Sequence, residues 1–237
     1  NEIEGKLATT AGSCAVMGTA STMACIAEVL GMSLPGSAAI PAVHADRLRL
    51  AEACGERAME MAVSGAPLPH EIITPKSVEN ALRVLLAISG STNAVVHLAA
   101  IAGRRGIDLP LENINRISDE TPVLVNLKPT GEHYMQDLFA AGGLTAVLHE
   151  LKHQLHLDCL TVTGETLGQW LSETPKWVDR NVIRAFDDPY QKEGGLIALF
   201  GTLAPTGAIL KRAAADSNLF ERTGRAVVFD SLEDLRK

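Results

Sequence analysis

The sequence predicts a helix-rich α/β unit over residues 1 to 178, followed by the start of a β-rich unit over 179 to 237. Three observations predict it. Apolar residues recur at helical spacing in successive segments up to about residue 171. Val123-Leu124-Val125, bounded by Pro122 and Pro129, reads as a short buried strand. Beyond Pro175 the apolar residues come in short runs between Gly and Pro turns: Val182-Ile183, Leu196 to Phe200 and Ala226 to Phe229. A change of unit is therefore expected near 175 to 195.

Residues 19 to 30 place Met23, Ile26, Ala27 and Leu30 on one helical face, with Thr19 or Ser21 as N-cap and Gly31 past the end. Ser33 to Pro41 contains two prolines and a glycine, so it cannot continue that helix and reads as an ordered, covered loop. Helical periodicity resumes from Ala45 to Val63 and stops at Ser64-Gly65. Thr74-Pro75 supplies a cap and a favoured first position for a helix through Ile88. Ser91 or Thr92 caps the next, to about Ala102. Further helices are expected at 132 to 141, 144 to 155 and 165 to 171, the first two separated by Gly142-Gly143. No internal repeat or low-complexity tract is present.

A length of 237 residues is enough for a sizeable core in one or two domains. Its 21 basic and 28 acidic residues give a net charge of -7, with no basic stripe, which argues against nucleic acid as the partner. With 46% apolar and 21% charged residues, the chain has the composition of a folded domain. The longest uncharged window, Val84 to Gly103, carries Ser89-Gly90-Ser91-Thr92-Asn93 in its middle, so two buried helical pieces are expected rather than a membrane span. Cys14, Cys25, Cys54 and Cys159 are far apart and form no Cys-x-x-Cys pair, the pattern of free thiols in a reducing cytoplasm. The acidic start, Asn1 to Glu4, does not resemble a secretory signal, and a first residue other than Met suggests a piece of a longer chain.

His149, His153 and His156 are spaced as helical metal ligands could be. Leu144, Leu148, Leu151 and Leu155 form the buried stripe of the same helix, and at about 100° per residue the histidines centre nearly opposite it. They are expected to face solvent and hold no metal. His44, His70, His97 and His133 are isolated and read as structural or surface residues. Gly12 to Met23 is different in kind: small and hydroxylated residues crowd Cys14 just before a helix start, which suits a nucleophile or a metal-bound sulfur as well as a buried small-residue turn.

Gly12-Ser13-Cys14 through Met23, with Leu30 to Gly36 and Ile40-Pro41-Ala42, resembles the dihydroxy-acid dehydratase / 6-phosphogluconate dehydratase family. The resemblance continues in order through Ser89 to Ala94, Leu124 to Gly131, Ala141 to Gly143, Thr161 to Leu167, Gly201 to Ala208 and Gly224 to Ser231. Within the family, Gly18 to Met23 and Ala38-Ala39-Ile40-Pro41 look most like the sugar-acid (aldonate) dehydratases, such as those acting on arabinonate or xylonate.

The resemblance implies an α/β dehydratase domain followed by a β-barrel-like domain, and a hydro-lyase that turns an aldonate into a 2-keto-3-deoxy acid. It implies Mg2+ and an iron-sulfur cluster, [2Fe-2S] ahead of [4Fe-4S], held by three cysteines so that one iron keeps an open position. Cys14 matches the third of these, as cofactor-binding residue and iron ligand. Cys25, Cys54 and Cys159 match none and read as structural thiols. The family's Cys-Asp-Lys-x-x-Pro segment and serine base do not occur here, so no catalytic residue is assigned in this chain, which resembles an internal part of a longer enzyme, inactive alone. Full length, a homodimer or homotetramer in the cytoplasm is expected. The alternatives are a branched-chain dihydroxy-acid or 6-phosphogluconate dehydratase, and, in another class, a non-catalytic scaffold or dimerisation segment.

Overall fold

A computed structural model describes residues 14 to 174 and 177 to 236. Its centre is helix α4, Pro75–Ala87, because apolar residues cover it on nearly every side: Val78, Leu82, Leu85 and Leu86 are all buried. The start is fixed as the sequence predicts. Thr74 accepts the Ser77 N–H at 3.3 Å, Ser77 Oγ takes the Thr74 N–H at 2.9 Å, and Pro75 occupies the first turn. The polar residues buried on α4 are satisfied except at Arg83 Nε, which has no partner. Arg83 reaches Glu79 and Glu120, each at 3.0 Å, and Asn80 exchanges two bonds with the His156 backbone.

Around α4 pack α1 (Thr19–Val29), α5 (Asn93–Arg104) and α6 (Leu111–Glu120). Helix α2 (Ala45–Ser64) lies outermost, closed by Gly65 in the left-handed conformation, and α3 (Pro69–Ile72) leads back to α4. The expected strand is realised as a buried segment whose backbone bonds go to three places: Leu124 N–H to Ala87 O, Asn126 N–H to Val182 O, and Val123 paired with Gln191. Ile183 pairs with Val125, so Val182-Ile183 forms a strand-like bridge. Helices α7 (Met135–Ala140), α8 (Gly143–Glu150) and α9 (Leu167–Glu173) close the other side.

After residue 195 the chain forms a hairpin of β1 (Ile197–Gly201) and β2 (Ala204–Leu210), in the register Ile197 to Leu210 with a bulge before Gly201. The Asn115 amide of α6 bonds both the N–H and the C=O of Ala198, acting as a further strand would. The chain ends in α10, Leu232–Leu235. The helix-rich α/β class holds.

Several local expectations are corrected. The N-cap of α1 is Gly18, because the Thr19 and Ser21 hydroxyls are engaged elsewhere: Thr19 with Ser91, and Ser21 with the Val16 carbonyl. At α5 the N-cap is Thr92, one of the two residues expected there, although its side chain makes no cap bond and Ser91 Oγ accepts the Asn93 N–H. Helix α5 is amphipathic rather than buried throughout, with Val96 and His97 exposed. The helix expected over 132 to 141 starts only at Met135, and the one over 144 to 155 gives way after Glu150 to a 3-10 turn, Lys152–Gln154. Ala226 to Phe229 is exposed and forms no strand, having no partner strand among the described residues. Helix α6 went unread, although Pro110 followed by Leu111, Ile114 and Ile117 carries its signal.

Candidate functional site

Three of the segments singled out in sequence meet at the N-terminus of α1. The first is the bend from Cys14 to Gly18, tightened by Gly18 N–H to Val16 O at 2.8 Å and by Ser21 Oγ to the same carbonyl at 3.0 Å. Cys14 is a free, half-buried thiol, and its sulfur folds back over the helix start: a Cβ placed on Gly18 would lie 3.9 Å from Cys14 Sγ. Gly12 and Ser13 lie outside the described residues.

The second segment is Ser89 to Asn93. Ser91 Oγ lies 2.9 Å from Thr19 Oγ1, Asn93 Nδ2 donates to Thr19 Oγ1 at 3.0 Å, and Ser91 N–H donates to Thr22 Oγ1 at 3.0 Å. The approach is too close for a side chain at Gly90, where a Cβ would sit 2.6 Å from Thr22 Cγ2 and Leu85 Cδ1. Ser89 itself has φ +46°, unusual outside glycine, and its buried hydroxyl has no hydrogen-bond partner.

The third is the hairpin-like loop from Asn126 to Tyr134. His133 N–H bonds Asn126 O at 3.1 Å, and Lys128 N–H bonds His133 O at 2.8 Å. This loop is laced to the first segment on both sides, by Met17 N–H to Lys128 O and Met135 N–H to Ala15 O, each 2.9 Å. Lys128 Nζ donates to Tyr134 Oη at 2.9 Å and lies 4.2 Å over the centre of the same ring.

Behind these loops, α1 carries a buried carboxylate that sequence reading missed. Glu28 accepts the N–H groups of Gly36 (2.9 Å) and Ala38 (2.6 Å) and the Ser37 hydroxyl (3.3 Å), which is why the proline-rich loop is ordered and covered. Burial pushes its carboxyl above the ordinary range, against the opposing pull of those three donors. The available signal was a lone acid on the otherwise apolar helix ahead of a Gly-Ser turn.

The remaining cysteines are apart from the site. Cys25 is buried with its thiol pushed up by burial and then by the Glu28 charge, and Cys159 is pushed up to about 11 by burial and Asp158. Cys54 is exposed on α2, contrary to its reading as a structural thiol. The three histidines do not converge. His149 Nε2 lies 3.1 Å from Thr174 Oγ1, His153 packs edge-on against Phe186, and His156 Nε2 lies 3.7 Å from Glu79. Only His153 is exposed; His149 and His156 are half-buried, because the chain turns off the helix axis after Glu150.

As a test of fit, Cys14 can serve one ligand position of an iron-sulfur cluster, being unpaired and half-exposed at a helix start. Among the described residues no three His, Cys, Asp or Glu side chains are grouped to hold a metal, so these residues supply part of such a site and not the whole.

The model of the dihydroxy-acid/6-phosphogluconate dehydratase N-terminal domain matches residues 1–170, and that of the C-terminal domain matches residues 181–237. The chain belongs to this family. It is similar to the dihydroxy-acid dehydratase of Caldanaerobacter subterraneus subsp. tengcongensis, 46% identical over 98% of this chain and 42% of the relative. It is similar also to those of Acetivibrio thermocellus, 47% identical over 97% of this chain and 42% of the relative, and of Caldicellulosiruptor saccharolyticus, 48% over 94% and 41%. The chain thus spans about two fifths of the length of these curated relatives. All three are named dihydroxy-acid dehydratase, the alternative reading rather than the expected sugar-acid branch. That expectation rested on ten residues, Gly18 to Met23 and Ala38 to Pro41, whereas these identities run over more than 220. Among the described residues no helix is long and apolar enough to cross a membrane.

Proposed function

We propose that the protein containing this chain is a hydro-lyase that removes water from a 2,3-dihydroxy acid to give a 2-keto acid, with a branched-chain dihydroxy acid as substrate. The observation that carries the reading is the position of Cys14: a free sulfur over the start of α1, with two further family segments hydrogen-bonded around it. In the reaction the proton leaves the carbon beside the carboxylate, and the C3–O bond breaks with hydroxide departing. Proton and hydroxide make up the water lost, and the resulting enol tautomerises to the ketone. The proton is weakly acidic and the leaving group poor. A bound Mg2+ and an iron with an open position would supply the Lewis acidity that both steps need.

This chain's contribution is one thiolate ligand, Cys14, on a rigid support. The Thr19, Thr22, Ser91 and Asn93 side chains fix the helix start, and Met17 and Ala15 hold the bend to the Asn126 to Tyr134 loop. Such a scaffold holds a ligand within the tolerance that catalysis requires. A [2Fe-2S] cluster, a homodimer or homotetramer, a cytoplasmic location and the division at residue 178 belong to the same proposal. The four free cysteines support the reducing compartment.

The sugar-acid reading stands second, favoured by the wording of Gly18 to Met23 and of the loop that Glu28 holds. Full-length protein assayed anaerobically with a branched 2,3-dihydroxy acid, a five-carbon aldonate and 6-phosphogluconate separates these. Turnover of the branched acid at least about tenfold above the others in kcat/KM supports the proposal. Preference for the aldonate moves it to the second reading. No turnover of any, with the cluster loaded, leaves the scaffold alternative.

A further inference from the structure

Several cations among the described residues are paired with carboxylates. Lys76 pairs with Asp158, Arg83 with Glu79 and Glu120, Arg180 with Glu150, Arg184 with Asp188 and Arg212 with Glu193. Lys128 is not. It is half-buried, and no carboxylate among the described residues pairs with it. The nearby acids are used otherwise: Asp137 accepts the Tyr134 N–H at 2.7 Å and lies 3.9 Å from His133, and Glu132 is exposed.

A half-buried ammonium without a counter-ion gives up solvation with no ion pair in return. Its position is held closely: its own N–H and C=O are bonded to His133 and Met17, and its side chain lies along the Tyr134 ring with one N–H on the phenol oxygen. Two of its three donors remain available. The carbonyl bond to Met17 puts the Lys128 backbone beside the Cys14 bend, where the proposed reaction consumes an anionic substrate.

We propose that Lys128 is a substrate-binding residue for the carboxylate of the dihydroxy acid, and that Tyr134 is a positioning residue that fixes the ammonium. The inference rests on the hydro-lyase reading above. The carboxylate would complete a charge-assisted pair that Lys128 lacks among the described residues, worth roughly ten- to a hundredfold in affinity. Tyr134 would act through orientation, so its loss should cost less than the loss of the charge.

The experiment uses full-length, cluster-loaded protein with Lys128→Met, Lys128→Arg and Tyr134→Phe, and reads KM, kcat and visible-range cluster absorbance. A second measurement is the calorimetric Kd of a 2-hydroxy acid that lacks the 3-hydroxyl and so cannot lose water. Lys128→Met should raise both KM and this Kd at least about tenfold, with kcat within about threefold and cluster absorbance unchanged. Lys128→Arg should recover most of the binding, and Tyr134→Phe should raise KM by a smaller factor. Unchanged KM and Kd in Lys128→Met would overturn the inference. So would a loss or shift of the cluster spectrum with KM intact, which would assign the cation to the cluster. Should Lys128→Met fail to fold, Lys128→Gln and Tyr134→Phe decide on the same Kd criterion. A wild type that dehydrates none of the dihydroxy acids defeats the functional reading itself, and is seen before any variant is compared.

Discussion

The carboxylate of Glu28 accepts the backbone N–H of Ala38 at 2.6 Å, tying the last turn of α1, the helix that follows the Cys14 bend, to the loop after it. Because Gly36 and Ser37 donate to the same group, the site tolerates an acceptor only. Glu28→Gln turns an NH2 toward one of these donors. It should destabilise the protein by about 1–3 kcal/mol, the cost of leaving buried polar groups unpaired, measured as a lowered denaturant midpoint. The carboxyl is also raised in the fold by burial, so the native state holds its proton more firmly than the unfolded chain does. The sign follows: this group's contribution to stability is full below the ordinary carboxylate range and is lost as pH rises through the folded value. Wild type minus Glu28→Gln should show that decline in chemical denaturation as pH is raised from below the ordinary carboxylate range. A difference that grows with pH would contradict it.

Cys25 lies one turn before Glu28, and both its burial and that negative charge hold its thiol protonated; Cys159 is raised to about 11 by burial and Asp158. Alkylation proceeds through the thiolate, so these two should be protected in the native state. Mass spectrometry after brief iodoacetamide treatment at pH 8 should find exposed Cys54 modified first and Cys25 last. Early labelling of Cys25 would mean that the α1 packing is wrong.

Ser89 is the strained point of the site loop, at φ +46° with a buried, unpartnered hydroxyl, and Gly195 packs so closely that a Cβ there would lie 2.6 Å from Ser89 Oγ. Ser89→Gly removes both the left-handed strain and the orphan hydroxyl. It should be neutral or stabilising by up to about 1 kcal/mol. Ser89→Val adds a branched side chain in the same conformation against Gly195 and should cost about 2 kcal/mol or more. A thermal midpoint at or above wild type for Ser89→Gly, with Ser89→Val below it, would bear this out. A loss of stability in Ser89→Gly would show that the hydroxyl is used.

The parts of the fold legible in sequence were those fixed by local chemistry. Thr74-Pro75, Gly65 and the leucine stripe of Leu144, Leu148 and Leu151 each state their role within a few residues, and the structure follows them. Features decided by long-range partners were not legible. Thr19 looks like an N-cap until Ser91 and Asn93, more than 70 residues away, claim its hydroxyl. Ala226 to Phe229 has a strand's composition but no strand beside it among the described residues, and β-propensity only becomes structure through a partner. Of the site, Cys14 stands out by its small-residue surroundings, and its role as iron ligand is what the family resemblance implies. Glu28 and Lys128 do not stand out, because a buried acid and an unmatched cation are defined by neighbours that only the fold brings.

Cys14 carries the most direct prediction. It alone of the four cysteines combines a half-exposed sulfur with a helix start and the two laced loops; Cys25 and Cys159 are buried, and Cys54 is exposed on α2, outside those loops. In full-length protein Cys14→Ser should strip the visible-range cluster absorbance and lower turnover by at least about a thousandfold, because a hydroxyl at that position is a poor ligand for iron. Cys25→Ser, Cys54→Ser and Cys159→Ser should retain both absorbance and activity, apart from a modest loss of stability at the two buried positions. The isolated 237-residue chain should neither hold a stable cluster nor dehydrate the acids, since it offers one suitably placed thiolate where three are needed. A Cys14→Ser protein that kept its cluster spectrum and turned over a dihydroxy acid at the wild-type rate would remove the residue from the site and leave family membership as a statement about fold alone.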